Sequence, residues 1–394
     1  MSKLSPKKCA VFALFAFCVW LIPCLGELTK WLPRQTEVLV CGIALVGFMA
    51  GFQIVGRVSL PSNGIRSRWP LIIAVGFVAI LIFATFPMIH AGRFGSGTDR
   101  ADALIVGLHA LLHGSYPYYF HTPQGNLLTP MSGAFLLALP FYLLGNVALQ
   151  NILWVVGFAW FLTKYYQSAT AALLCFIAYI LFCTVSMQDL ITGGDYLVNI
   201  IYVALSFYWV ALVYQRPGSK GKRLAAAVLY AIALCSRPIF VLATLPVISA
   251  FVLQKSGKRA LFNFLAVNAL VAFVLVGPFY LYDTKHFTPL QTSGFYVRWA
   301  PAFLHIKILL PCVTLLAAAS SFWRKLDIVS IFGAVVIAFA AMFLPYCFLV
   351  AVMQGWTLPV LLHQWTFSLP LTIFSGIWLV KQMDRDSSGV EVPC

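Results

Sequence analysis

Apolar stretches of membrane-crossing length recur along the chain at 9–26, 36–56, 70–90, 146–163, 169–187, 196–214, 260–282, 304–321, 327–350 and 365–380. Each approaches the ~20 apolar residues that a helix needs to span a hydrocarbon core. Two shorter runs, 223–236 and 238–253, flank Arg237-Pro238 and read as a short up-and-down pair meeting near the outer face. The run Leu127–Leu144 is different. If it crossed, every later basic loop would change sides, so it reads as a re-entrant or interfacial segment. Half-inserted backbone is tolerated only where it is buried or lines a cavity. The pattern predicts an all-α, polytopic transmembrane helix bundle of about twelve spans. It forms a single domain over 1–394, with an external region at 91–145, a second external loop at 283–303 and a cytoplasmic tail at 381–394.

Composition agrees. Hydrophobic residues make up 61% of the 394, charged residues 9%, and the mean hydropathy is +0.91. Soluble domains carry about 25% charged residues, so most of this chain is built for lipid. The net charge of +15 does not mark a nucleic-acid binder, because no basic groove interleaved with aromatics is present. Its cations instead fall in short clusters between apolar runs: Lys3/Lys7/Lys8, Arg57/Arg66/Arg68, Arg216/Lys220/Lys222/Arg223, Lys255/Lys258/Arg259 and Arg324/Lys325. That distribution orients helices with the basic loops inside. With Leu127–Leu144 half-inserted, both termini and most of the Lys and Arg residues are cytoplasmic. All seven histidines and Asp99, Asp102, Asp189, Asp195 and Asp283 then lie outside.

The first run follows three lysines and lacks a small-x-small cleavage site, so it is expected to remain as a helix despite a lipoprotein-like Leu21–Cys24. The ten cysteines lie mostly within apolar segments and suggest no disulfide framework. No Asn-x-Ser/Thr acceptor occurs, which favours a bacterial inner membrane over a secretory compartment.

Four constellations carry candidate chemistry. The first begins at Gly95-Ser-Gly-Thr-Asp99-Arg100-Ala-Asp102. Helical spacing from Asp99 to His113 gathers Asp99, Asp102, His109 and His113 on one face and Leu104, Leu108, Leu111 and Leu112 on the other. This is the pattern of an interfacial amphipathic helix. Two carboxylates beside Arg100 suit general-base work, although an N-cap with a solvated face accounts for the same residues. His109 and His113 at i, i+4 near Asp102 also admit a divalent metal, but the Glu of an HExxH arrangement is missing, so no cofactor is indicated.

The second is the aromatic, Pro- and Gly-rich stretch from Tyr116 through His121 and Asn126 to Gly133, expected as a site wall at the interface. The third, Ser186 to Tyr196, is expected as a short outer hairpin whose Asp189 and Asp195 either cap helices or bind an acceptor. The fourth is cationic. Arg237 lies between two apolar runs, where an arginine is a functional candidate by default. The loop from Asp283 through Lys285 and His286 to Arg298 adds further cations. Arginine matches phosphate bidentately, so Arg237, Lys285 and Arg298 form a candidate lipid-phosphate clamp.

With these residues in view, the chain resembles the GT-C superfamily of membrane glycosyltransferases. It is similar to protein O-mannosyltransferases, lipid A aminoarabinose transferases and bacterial polyprenyl-phosphate-mannose-dependent enzymes. The resemblance rests on Asp99-Arg-Ala-Asp102-Ala-Leu, Leu111-Leu-His-Gly-Ser-Tyr-Pro-Tyr, Gly125-Asn-Leu-Leu-Thr-Pro-Met-Ser-Gly and Leu139-Pro-Phe-Tyr-Leu-Leu-Gly145. Gly193-Gly194-Asp195-Tyr196 and Ser236-Arg237-Pro238 extend it, so that it covers roughly residues 75–260. It implies an acidic base in the first long external loop, a polyprenyl-phosphate sugar donor and a lipid or glycan acceptor. The family's Asp-Glu and Glu-x-x-Tyr variants are absent, which leaves Asp99 and Asp102 both open as the base. The rival classes are a transporter or flippase of lipid-linked sugar, a glycan polymerase or ligase, and a structural subunit of a cell-envelope complex.

Overall fold

A computed structural model describes residues 68–91, 99–216, 219–291, 304–354 and 368–388. The expected spans 9–26 and 36–56, the turn at Gly95–Thr98 and Arg298 lie outside these. Every regular element among the described residues is helical. In chain order the main helices are α1 (Trp69–His90), α2 (Asp99–Leu112), α3 (Ser132–Leu143), α4 (Leu149–Tyr166), α5 (Ala169–Phe176), α6 (Thr184–Ile191) and α7 (Tyr196–Gln215). They continue as α8 (Lys220–Leu234), α9 (Pro238–Leu275), α10 (Gly277–Tyr282), α11 (Leu304–Ala319), α12 (Ile328–Gln354) and α13 (Leu369–Ser388).

Four of these are long and apolar enough to cross a membrane: α1, α7, α9 and α12. The broken α5–α6 segment would make a fifth. Their exposure differs in an instructive way. In α1 only 22% of the apolar window is buried, and Trp69, Ile73, Ile80 and Phe83 present bare side chains suited to lipid. In α7 the figure is 78%. Its 20 residues span about 30 Å, close to the thickness of a hydrocarbon core.

The structure departs from several expectations. The run 169–187 is not one continuous helix: α5 passes into a π-helical turn at Ile177–Leu181, and the chain breaks before α6 begins at Thr184. Most of the Ser186–Tyr196 hairpin is helix α6, so Asp189 sits on a helix and the true turn is Thr192–Asp195. The expected span 260–282 is interrupted at Val276, where α9 gives way to α10. Within α9, Gly257 adopts φ 81° and ψ 177°, which divides it into two arms, 238–256 and 258–275. A left-handed φ costs a residue with a Cβ, so glycine marks this reversal.

The segment Leu127–Leu144 contains a helix of only 12 residues, α3. At ~1.5 Å per residue it reaches about 18 Å, well short of a crossing. Its first peptide groups are satisfied from outside the helix: Met131 N–H donates to Ser236 O at 3.1 Å and Gly133 N–H to Cys235 O at 2.9 Å. The end of α8 thus caps the start of α3, meeting the donors a helix N-terminus leaves unpaired.

The chain divides into two compact units, one of Val78–Phe158 with Gln188–Met342 and the other of the remaining segments. In the first, Leu104, Leu108, Tyr118, Leu128, Phe135 and Phe287 make a core between α2, α3 and the loop joining them. In the second, the hydroxyl of buried Tyr166 donates to Ile377 O at 3.0 Å, and Tyr179 packs against Gly376.

The α3–α8 contact is too close for any side chain at residue 133. A Cβ there would collide with Ile232 O and lie 2.6 Å from the Cys235 carbonyl carbon, both backbone atoms. Overpacking of this kind costs about 1–3 kcal/mol or more. Gly133→Ala is therefore expected to lower the unfolding midpoint of the detergent-solubilised protein by several degrees. Gly125→Ala, with open space around its Cβ and only the strain of a positive φ, should lower it less.

Candidate functional site

Helix α2 opens with Asp-Arg-Ala-Asp, and the 3.6-residue period sends these side chains in two directions. Asp99 and Asp102 face the Thr122–Asn126 turn, whereas Arg100 faces Asp189. Two acids in the first turn also suit the positive end of the helix dipole. Each carboxylate is met by an amide from the tight turn Thr122-Pro-Gln-Gly-Asn126. Asn126 Nδ2 donates to Asp99 Oδ2 at 2.7 Å, and Gln124 Nε2 to Asp102 Oδ2 at 3.2 Å. The turn is closed by Thr122 N–H to Asn126 O at 2.9 Å, by a bridge between His121 and Leu127, and by Gly125 at φ 79°. His90 Nδ1 stands 4.0 Å from the other oxygen of Asp102. His109 and His113 continue the same face, edge to face at 4.1 Å between ring centroids, and both are exposed. Leu112, expected on the buried side, is 52% exposed because it ends the helix beyond the reach of the α3 core.

Beneath this open face lies a buried lattice of charge. Arg100 Nη1 contacts Asp189 Oδ1 at 2.5 Å, and Arg237 Nη2 contacts Asp195 Oδ1 at 2.7 Å. Both carboxylates are 1% exposed. The ring of Tyr196 lies between the two guanidinium groups, 4.9 Å from Arg100 Cζ and 5.4 Å from Arg237 Cζ. Cation–π attraction grows when the partners are desolvated, as here. Burial alone would weaken the charge on Arg100, but the adjoining Asp189 carboxylate overrides it and raises the pKa further.

The remaining lone pairs of the acids are also used. Asp189 Oδ2 accepts from Leu197 N–H at 2.7 Å and so caps α7 from another helix. Asp195, at the N-cap position of α7, makes no cap bond of its own. It accepts instead from Asn199 Nδ2 at 3.0 Å, and Asn199 in turn accepts from the Tyr202 hydroxyl. Arg237 reaches Thr129 Oγ1 at 3.0 Å, while its Nε is buried without a hydrogen-bond partner. Gly194 is required where it stands, since a Cβ would collide with Asp189 Oδ1.

A separate group forms at the end of α10. Asp283 accepts from the Lys285 and His286 amides at 2.9 and 3.1 Å, from Tyr119 Oη at 2.9 Å, and contacts His286 Nδ1 at 2.7 Å. Desolvation works to raise its pKa, yet the hydrogen bonds from His286 and Tyr119 outweigh it and bring the value down to about 2. Tyr116 donates to Phe279 O at 2.9 Å, and desolvation with the nearby Asp283 pushes its hydroxyl up to about 12.

The sequence-derived candidates therefore sort into three places. Asp99, Asp102, Asn126, His109 and His113 share the open face of α2. Arg100, Asp189, Asp195 and Arg237 form the buried lattice. Tyr116, Lys285 and His286 gather about Asp283. Of the expected clamp, Arg237 is engaged by Asp195 and Thr129, Lys285 stands beside Asp283, and Arg298 lies outside the described residues. Among the described residues no group of three metal-ligating side chains converges. Nothing in the sequence pattern assigns a role to Tyr196, Gln124, Thr129 or Asn199, which only the folded chain brings into position. No family model matches the chain, and no curated protein or solved structure matches it.

Removing one partner of a buried ion pair strands the other charge, at a cost of about 3–5 kcal/mol. Arg237→Met should therefore destabilise strongly in thermal melts, and the double change Arg237→Met/Asp195→Leu should recover much of the loss. For Asp283 the sign follows from its depressed pKa. Its contribution is complete above the usual carboxylate value of ~3.9 and disappears as pH falls through about 2. Amide exchange at Lys285 and His286 should stay slow at pH 4 once intrinsic rates are corrected. Asp283→Asn should make it fast at pH 6.

Proposed function

We propose that the protein is an inverting membrane glycosyltransferase of GT-C type. It would have about twelve spans by the periodicity of its apolar runs and lie in a bacterial inner membrane. The donor is a sugar, mannose-like, carried on a polyprenyl phosphate. The acceptor is a hydroxyl of a cell-envelope lipid or glycan at the non-cytoplasmic face. The observation that carries this reading is the pair Asp99 and Asp102, one helical turn apart on the open face of α2, each oriented by an amide from a single turn. The resemblance of the 99–145 segment to that superfamily supports it.

In this mechanism one of the two carboxylates accepts the proton of the acceptor hydroxyl as its oxygen bonds to the anomeric carbon. The bond from that carbon to the phosphate oxygen breaks, and the electron pair leaves with the lipid phosphate. Attack opposite the leaving group inverts the centre. Asn126 and Gln124 hold the carboxylates so that one oxygen of each is left for the acceptor. Preorganised polar groups of this kind cost no reorganisation at the moment of reaction. Lys285 adjoins Asp283, which Tyr116 and Tyr119 of the aromatic wall both contact, and is the candidate partner of the leaving phosphate.

Transport of a lipid-linked sugar is the second reading, favoured by the two buried ion pairs in an otherwise apolar helical body. Intramembrane charge of that sort often marks a substrate or proton path.

A transfer assay distinguishes them. Proteoliposomes receive radiolabelled polyprenyl-phosphate mannose, glucose or arabinose with a membrane-extract acceptor. Asp99→Asn or Asp102→Asn should lower the rate by about 10²–10⁴-fold, the usual worth of a general base, at unchanged expression. Transfer unaffected by both substitutions would sink this mechanism. Movement of labelled lipid between leaflets without product would favour transport.

A further inference from the structure

At the opposite end of α7 from the carboxylate site, three basic loops are fastened together. The first leads from α7 into α8, whose opening turn carries Lys220, Lys222 and Arg223; the second is the break in α9, with Lys255, Lys258 and Arg259; the third precedes α12, with Arg324 and Lys325. Gln254 ties the second loop to the third by three hydrogen bonds. Its Nε2 donates to Arg324 O at 2.6 Å and Ser321 O at 3.3 Å, and its Oε1 accepts from Leu326 N–H at 3.0 Å. Ser256 ties the second to the first, donating to Tyr214 O at 3.0 Å. Arg223 lies over the Tyr214 ring and Lys255 over Phe251. Eight basic residues in three loops are thus held as one surface.

Within the compact unit that carries these loops, little opposes the charge. From residue 197 to 342 the chain has only two acids, Asp283 and Asp327. Asp283 belongs to the other group, and Asp327 accepts from Ser330 N–H at 2.7 Å to start α12. Two of the cation clusters also sit where helices begin, at α8 and at the 258–275 arm, so the positive helix ends add to the side-chain charge rather than offset it. Such an arrangement is favourable when an anion is at hand.

The apolar surroundings identify where that anion sits. Within about a turn of the cations, Leu224 on α8 and Phe262 on the second arm of α9 are bare, the latter 72% exposed. Beside Arg324 stands Trp323, 84% exposed. Bare apolar rows ending in cations and an aromatic are the profile of a helix end at the headgroup level. The 20 residues of α7 place this level about 30 Å from the carboxylate site.

We infer that the surface made by the 220–223, 255–259 and 324–325 loops binds the phosphate headgroups of anionic phospholipids, in the leaflet opposite the Asp99–Asp102 site. Its binding depends on the three loops being fastened by Gln254 and Ser256, and not on net charge alone. The inference rests on the membrane reading of the helices but not on glycosyl transfer.

The test uses the full chain in a neutral detergent. Short-chain phosphatidylglycerol, short-chain phosphatidylcholine and inorganic tripolyphosphate are titrated separately, with lipid adducts read by native mass spectrometry. The wild type should bind phosphatidylglycerol saturably and phosphatidylcholine weakly. Each Lys or Arg near an anionic surface is worth about fivefold, so Lys255→Gln/Lys258→Gln/Arg259→Gln should weaken phosphatidylglycerol on the order of a hundredfold. Arg324→Gln/Lys325→Gln, on another loop, should weaken it by roughly twenty-fold. Gln254→Leu keeps every charge and should still weaken it several-fold. Equal binding by wild type and both charge variants overturns the inference. So does tripolyphosphate displacing the lipid at equal phosphate concentration, which would make this a site for a soluble polyanion. An unaltered Gln254→Leu variant overturns the claim that the loops act as a built surface.

Discussion

The first compact unit depends on keeping two buried carboxylates paired with two part-buried guanidinium groups. Arg100, Asp189, Asp195 and Arg237 come from α2, α6 and the starts of α7 and α9, and none of them can be left alone in an apolar interior. A buried pair is weak evidence for stability compared with an apolar replacement of equal volume. What it supplies here is uniqueness of arrangement. A helix that slid or turned by one residue would strand a charge, whereas a shifted leucine would merely find another gap. Tyr196 makes the two pairs one object, because its ring stands against both guanidinium groups.

That constraint reaches the open face directly. Arg100 is flanked by Asp99 and lies two residues from Asp102, so fixing its guanidinium against Asp189 fixes the rotation of α2 about its axis. The two acids then have to face the Thr122–Asn126 turn, which is anchored through the same body: Thr129, three residues on from Asn126, accepts from Arg237. The carboxylates and the amides that orient them are held from below by the two ends of one lattice. Asp189 adds a second duty as the cap of α7, so the most buried of the membrane-length helices and the polar face share a single support.

Much of this arrangement is legible in the amino-acid sequence. Helical periodicity places Asp99, Asp102, His109 and His113 together, and the charge pattern alone keeps Leu127–Leu144 from being taken for a full crossing. Arg237-Pro238 is recognisable as the tip of a short helical pair, because a proline at the first helical position and an arginine between apolar runs both have physical meanings. The breaks are harder to see. The sequence of α5 and the turn after it is apolar throughout, and a π-turn leaves no mark on hydropathy. Pairings are harder still. Asp189 and Arg100 are 89 positions apart, and no local rule links them. Asp189 does cap a helix, as its place near a helix end suggests, but the helix it caps is not its own.

Arginines near the carboxylate site look in sequence like phosphate ligands, yet Arg100 and Arg237 already have carboxylate partners. Arg237 in particular presents only a buried, unpartnered Nε beyond its two engaged nitrogens. Among the described residues, a cluster of basic residues with little acid to compensate it lies at the opposite end, where three loops share one acid between them. Uncompensated charge, rather than the presence of an arginine, is what makes a surface attract phosphate. By that criterion the strongest phosphate-attracting surface among the described residues is the one at the basic end. The site on α2 is better described as a pair of oriented carboxylates on a neutralised frame.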